Sequence, residues 1–294
     1  MKLRKGPLLG IASAIAFTFM VALVKICREE LSAWEVIHWR SLFAIPIAGV
    51  AAWRFGFRLH AKGTFVVRLL LGFAAMTCFF TAAKGLPLAN LALISRMQPI
   101  LLALMAPLVL GAAERSGRMV WGVMAAGLAG CGVLLWPELK AAGGGLSEGG
   151  VYALWALGAA LFSAGAHLAI RKLGATDHPA IVVFWFQLLV FFLAGAGVVL
   201  TTGWQLPPTK LWLPLAGVGL LATVGQLLMT RAYQVDRASV VAASSYTSPL
   251  WGAILDLVVF ATAPSWELAV GGALVIGAGL TLLMARESRS EGAG

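Results

Sequence analysis

Long apolar blocks broken by short polar connections run through the whole chain. Each block holds about 20 residues, enough for a helix to cross roughly 30 Å of hydrocarbon at about 1.5 Å per residue. The pattern predicts ten transmembrane helices, spans 1 to 10, over residues 8–27, 34–53, 65–84, 88–110, 118–137, 151–171, 179–200, 211–233, 238–260 and 267–285. The fold class expected is all-α and integral to a membrane. The connections are short, which leaves no separate soluble domain. The longest, 138–150, holds Gly143, Gly144 and Gly145 and reads as a flexible linker on the periplasmic side. It divides a first five-helix unit, 1–137, from a second, 151–285, with a cytoplasmic tail over 286–294.

The two units read as copies of one another. Moving residues 8–53 forward by 146 lays Lys25 on Arg171, Trp39 on Trp185 and Gly49 on Gly195. Moving residues 97–136 forward by 150 lays Pro99 on Pro249, Gly122 on Gly272 and Gly127 on Gly277. Five is odd, so the second copy must enter the bilayer from the opposite side, and the repeats are expected to be inverted. Alternating-access transporters are often built this way, with substrate held between the halves.

Composition agrees with a membrane protein. The 294 residues are 60% hydrophobic and only 12% charged, about half the charge of an ordinary soluble chain. The net charge of +10 comes without a basic run interleaved with aromatics, so no nucleic acid is expected as a partner. The positive residues instead set orientation. Fifteen Lys and Arg fall on the side of the N-terminus, against five on the other: Lys25, Arg28, Lys84, Lys140 and Lys210. The positive-inside rule then places both termini in the cytoplasm, as an even number of spans also requires, in a cell inner membrane. The basic start resembles a signal peptide, but the apolar run from Leu8 to Ile26 is longer than an h-region and no convincing cleavage site follows, so it reads as a retained span 1. Cys27, Cys78 and Cys131 lie in or beside apolar segments with no CxxC pair, as buried thiols do. Most of the eleven tryptophans sit near span ends, where indole suits the interface.

Candidate chemistry lies in the polar residues that a bilayer makes expensive. A charged side chain near mid-membrane costs about 2.5–3.5 kcal/mol on insertion scales and needs a partner or water. Arg40 in span 2, Arg96 in span 4 and Asp256 in span 9 all fall in the outer half. Asp256 is expected to compensate one arginine and leave the other for an anionic group. In the competing reading both arginines are structural, bonded to carboxylates such as Glu35 and to backbone carbonyls. Spans 4 and 9 each carry a polar half before a proline, Pro99 or Pro249, which removes a backbone hydrogen bond and bends the helix. Lipid tolerates such a break where it is buried or lines a wet cavity. On span 9, Ser244, Ser248 and Trp251 share the stripe expected to face the cavity, and Ser245, Pro249, Gly252 and Asp256 share another. Hydroxyls of this kind equally bond carbonyls of their own helix. Ser163 and His167 lie one turn apart in the inner half of span 6, and a histidine there serves either a proton relay or packing. Trp39, Trp185 and Trp251 lie deeper than the interfacial tryptophans and face either ligand or core. Spans 5 and 10, poor in polar residues and rich in small ones, read as packed scaffold or an oligomer contact.

Motifs for covalent chemistry are missing: no G-x-x-x-x-G-K-[ST] loop, no H-E-x-x-H and no G-x-S-x-G. No enzyme, cofactor or metal is expected, and energy must come from gradients or a partner.

The stretches His38-Trp39-Arg40-Ser41-Leu42-Phe43-Ala44, Gln98-Pro99-Ile100 and Leu110-Gly111-Ala112-Ala113-Glu114 resemble the EamA-type members of the drug/metabolite transporter superfamily, with ten helices in two five-helix repeats. The second copy departs from the pattern: Phe186 stands where the equivalent of Arg40 would fall, and Pro264 aligns with Glu114. The resemblance implies transport of small organic metabolites, often outward and without ATP hydrolysis. Among such proteins the chain is most similar to amino-acid exporters, including those for aromatic amino acids. The expected substrate contacts are Trp39, Arg40, Arg96, Ser163, His167, Trp185, Ser244, Ser248 and Trp251, in a cavity formed by spans 1–4 and 6–9. Two rivals stand beside an amino-acid exporter: an exporter of drugs or lipophilic cations, which needs an uncompensated membrane carboxylate, and a non-transporting membrane scaffold.

Overall fold

A computed structural model of the chain describes residues 5–95, 97–98, 100–102, 105, 122, 125–126, 129–130, 132–133, 136, 148–174, 176–235, 248–263, 265–274 and 276–277. Among these, eight α-helices are delimited: α1 (Lys5–Cys27), α2 (Ala33–Trp53), α3 (Lys62–Gly85), α4 (Leu88–Ser95), α5 (Glu148–Leu173), α6 (Pro179–Thr201), α7 (Trp212–Val235) and α8 (Ser248–Val258). They correspond to spans 1–4 and 6–9, with α4 the beginning of span 4 and α8 the later part of span 9. Six of them, α1–α3 and α5–α7, are long and apolar enough to cross a membrane. Ten spans are therefore not delimited: span 5, most of the second half of span 10, the linker and the tail lie wholly or largely outside the described residues. Arg96, Pro99 and Ser244 lie outside them too, as does the side chain of Pro249.

Local chemistry sets several helix starts. Ser32 Oγ accepts the Glu35 N–H at 3.2 Å while Glu35 Oε2 accepts the Ser32 N–H at 2.7 Å, a capping box that opens α2. Proline at the first position and the His178 ring cap α6. Two other helices borrow their caps from the second copy. The start of α3 has no side-chain cap of its own. Instead Asp177, between α5 and α6, accepts the backbone N–H of His60 at 2.6 Å and of Ala61 at 3.1 Å. At the other face of the protein, Asp256 Oδ1 on α8 accepts the Leu88 N–H at 3.0 Å and caps α4. Carboxylates are favoured at such N-termini because the first N–H groups have no partner within the helix.

Packing joins the copies throughout. Helix α1 lies along α7, α2 along α6, α3 along α5, and α4 against α8. Every one of these pairs takes one helix from each copy. Exchanging the copies turns the α1–α7 pair into the α3–α5 pair and returns the other two pairs to themselves. The axis relating the halves thus passes between α2 and α6 and between α4 and α8. Where α7 crosses α2 the backbones nearly touch: a methyl at Gly219 would lie 2.5 Å from the Arg40 carbonyl oxygen, so only glycine fits. Val50, Trp53, Leu200 and Leu213 are each more than three-quarters exposed. An apolar surface of that kind suits lipid rather than water.

Candidate substrate cavity

A cavity of about 280 Å³ lies between the two copies. Its lining comes from α1–α3, from Ser95 and Gln98 of span 4, and from α5–α8. The described lining contains two arginines, one histidine, four serines and two glutamines, but no aspartate or glutamate.

Arg40, on α2, is fully buried, with 1% of its surface exposed. Its Nη2 rests 2.6 Å from Met76 Sδ, a weak acceptor, and its guanidinium lies 5.6 Å from the centre of the Phe80 ring. Its Nε is buried without a hydrogen-bond partner. Arg68, on α3, is buried as well. Its guanidinium sits over the Phe186 ring at 4.0 Å, and its Nε also lacks a partner. The side chain folds back over Gly72, whose missing Cβ leaves the space that the guanidinium occupies. Cation–π contact stabilises such a group by about 0.5–2 kcal/mol, but it supplies neither a countercharge nor a hydrogen-bond acceptor.

The hydroxyls complement the arginines. Ser13 Oγ donates to the Gly225 carbonyl at 2.8 Å, and Ser95 Oγ donates to the Leu91 carbonyl at 2.7 Å. Each hydroxyl has spent its only hydrogen and retains acceptor lone pairs. His167 Nδ1 lies 2.7 Å from the Ser163 carbonyl and 3.2 Å from Ser163 Oγ. A carbonyl only accepts, so Nδ1 carries the hydrogen. The cavity therefore offers cationic donors, neutral acceptors and the faces of Phe17, Phe79, Phe80 and Phe186.

Of the residues expected to meet substrate, the structure brings Arg40, Ser163, His167 and Ser248 to this cavity. It places the tryptophans elsewhere. Trp39 is buried in an aromatic cluster, its ring 5.4 Å from those of both Trp204 and Trp212 and 5.0 Å from His38. Trp185 Nε1 donates to the Phe57 carbonyl at 2.7 Å, in the connection between α2 and α3. Trp251 is half-buried on α8 and does not line the cavity. Burying indole costs little, so depth in a span does not dictate which way a tryptophan faces. Asp256 lines a separate, smaller cavity with Pro87, Asn90 and Thr262, caps α4, and lies within electrostatic reach of Lys25. Arg40 rests on Met76 and Phe80 rather than on Asp256, while Arg96, the other arginine expected to pair with Asp256, lies outside the described residues. Glu35 is likewise engaged in its capping box.

Arg68 is the residue that sequence reasoning misses, since in the sequence it counts among the fifteen charges that set orientation. A signal for it does exist. Phe186 occupies the position equivalent to Arg40 in the second copy, and the cation missing there arrives from α3 onto that phenyl ring.

Comparison with known proteins accords with this architecture. The chain matches the EamA-like transporter family over residues 4–136 and 150–284. It is 28% identical over 283 residues to the pseudopaline exporter of Pseudomonas aeruginosa, covering 95% of this chain and 96% of that one. It is 30% identical over 276 residues to a riboflavin transporter of Rhizobium johnstonii, covering 87% of each. A solved crystal structure shares the fold with a TM-score of 0.69 at 20% identity, over 96% of this chain and 98% of the other. The chain is thus a multi-pass membrane protein belonging to the EamA-like transporter family.

Proposed function

We propose that the protein exports amino acids, aromatic ones included, and related small carboxylate-bearing metabolites across the cell inner membrane, without ATP hydrolysis. Substrate sits in the cavity between the copies, and the inverted halves rock about it to expose it to each side in turn. Both termini face the cytoplasm. Arg40, Ser163, His167 and Ser248 contribute directly, and Arg96 and Ser244, which lie outside the described residues, join them.

The observation that carries this reading is a buried Arg40 in a cavity whose described lining has no carboxylate. A buried charge without a partner is costly, and a substrate carboxylate would relieve that cost. Ser13 and Ser95 lone pairs would receive an ammonium group, and phenyl faces an apolar side chain. An exporter of lipophilic cations needs the opposite charge, and Asp256 lies outside the cavity.

Counterflow in proteoliposomes tests the proposal. Labelled amino acids should accumulate above empty-liposome background, and Arg40→Gln should reduce their flux at least about tenfold, the loss of one charge-assisted contact of about 1.4 kcal/mol. Asp256→Asn should leave amino-acid specificity unchanged. Flux of toxic cations alone, abolished by Asp256→Asn, would support the rival instead.

A further inference from the structure

Arg68 raises a question that one substrate carboxylate does not answer. It is buried, it lines the same cavity as Arg40, its guanidinium rests on a phenyl ring, and its Nε has no acceptor. The guanidinium of Arg68 lies over Gly72, and that of Arg40 lies against Met76, one turn further along α3. The residues they rest on are one turn apart on α3, about 6 Å of helical rise, so both cations approach the same stretch of that helix. Like charges in one cavity repel, and the described lining holds no acid to separate them. A simple zwitterion adds no net charge to this pair and leaves one guanidinium without a carboxylate.

We propose that Arg68 is a second anion anchor and that the preferred substrates are small organic acids with two carboxylates, acidic amino acids among them. This rests on the transport reading above and narrows its substrate class. Each planar guanidinium would take one carboxylate in a paired, two-hydrogen-bond contact. Both anchors line one cavity, so two acid groups joined by a short carbon chain would reach both. Phe186 lies against the Arg68 guanidinium, and Gly72, beside both, leaves open the space that the guanidinium enters. In this arrangement the phenylalanine that stands at the position equivalent to Arg40 is the platform for another arginine.

Matched ligand pairs that differ by one charge test this. The pairs are glutamate against glutamine, and γ-glutamylphenylalanine against its phenylalanine amide. Thermal stabilisation of the purified full-length protein measures binding, and counterflow in proteoliposomes measures movement. The two-carboxylate member of each pair should bind at least about tenfold more tightly, a difference of about 1.4 kcal/mol. Arg68→Gln should erase that preference while glutamine is still bound and moved. Arg68→Lys, which keeps the charge but loses the fork, should retain part of it and guards against a folding defect in the first variant. Equal binding within each pair, or a preference that survives Arg68→Gln, overturns the second anchor and leaves the amino-acid reading standing. Absence of binding and counterflow for every member of both pairs and for the wider amino-acid panel overturns both.

Discussion

Arg40 and Arg68 reach one cavity by different routes, and their difference shows what a sequence discloses at the scale of residues. Arg40 lies deep in an apolar span, where an unpartnered charge is expensive, so its importance is legible without coordinates. Ser163 and His167 are legible in the same way, as polar groups one turn apart on an apolar helix. Arg68 lies in the second turn of α3, close enough to the end of the helix to read as a topogenic charge, and only the fold reveals that its side chain turns inward over Gly72. The tryptophans mislead for the opposite reason, because indole packs equally well against core, interface or ligand. Gly72 allows the role of Arg68 to be tested without altering any charge. Gly72→Ala would place a methyl where the guanidinium lies and 3.1 Å from the Phe186 ring. Affinity for glutamate should fall about tenfold. Thermal stability without ligand should change little, since the preference of a helix for alanine over glycine, about 1 kcal/mol, offsets the loss of the Arg68–Phe186 contact. Melting curves with and without glutamate read both quantities, and a variant that is less stable yet binds glutamate normally would contradict this assignment.

Among the elements, the helices of the long apolar blocks are legible from length and hydropathy, whereas the caps that set two of their starts are not. The sequence places span 3 from residue 65, but α3 begins at Lys62 because Asp177, more than a hundred residues away, accepts the N–H groups before it. No local signal at Ala61 announces this. Asp256 is similar: a carboxylate in an apolar span invites a search for an arginine, yet one of its oxygens also serves the backbone of α4. Burial alone would raise the pKa of Asp177. Hydrogen bonds from the His60 N–H, the Thr176 hydroxyl, the Ala61 N–H and the His60 ring outweigh that and hold it below the ordinary carboxylate value. Its contribution to stability is therefore complete above the unfolded pKa of about 3.9 and is lost as pH falls through the lower folded value. Asp177→Asn should destabilise the protein by about 1–3 kcal/mol near neutrality, since the amide turns an N–H₂ toward backbone donors. Unfolding in detergent from about pH 3 to pH 7 should show the gap between variant and wild type closing below about pH 4. A gap that is constant across this range would show that the carboxylate charge plays no part in the cap.

At the scale of the whole molecule, contacts between the copies tie both faces. On the face where α1 begins, Asp177, the Trp185–Phe57 hydrogen bond and the Phe55–His178 stack tie the two copies together. On the other face the ties are the Lys210–Glu30 ion pair at 2.5 Å and the cluster of Trp39, Trp204 and Trp212. A transporter that rocks must release these sets in turn. A cysteine at Ser163, with Cys27, Cys78 and Cys131 replaced by alanine, should therefore be labelled by an impermeant maleimide from opposite sides in two further variants. Asp177→Ala should speed labelling from the face where α1 begins. Glu30→Gln should speed it from the other face, and only a few-fold, as an exposed ion pair contributes about 0–1 kcal/mol. Faster labelling from the same side in both variants would refute the two-gate arrangement. The helix pairing has a further consequence for how the chain is made. The partners of α1, α2 and α3 are α7, α6 and α5, so none of them exists when the first three helices enter the membrane. Some 150 residues separate the end of α3 from the end of α7, and at about 5–20 residues per second the ribosome needs roughly 8–30 s to supply them. For roughly the first two-thirds of that interval Arg68 has no Phe186 beneath it, and α3 has no Asp177 at its head. The packing of the first half is therefore completed only when the second half arrives.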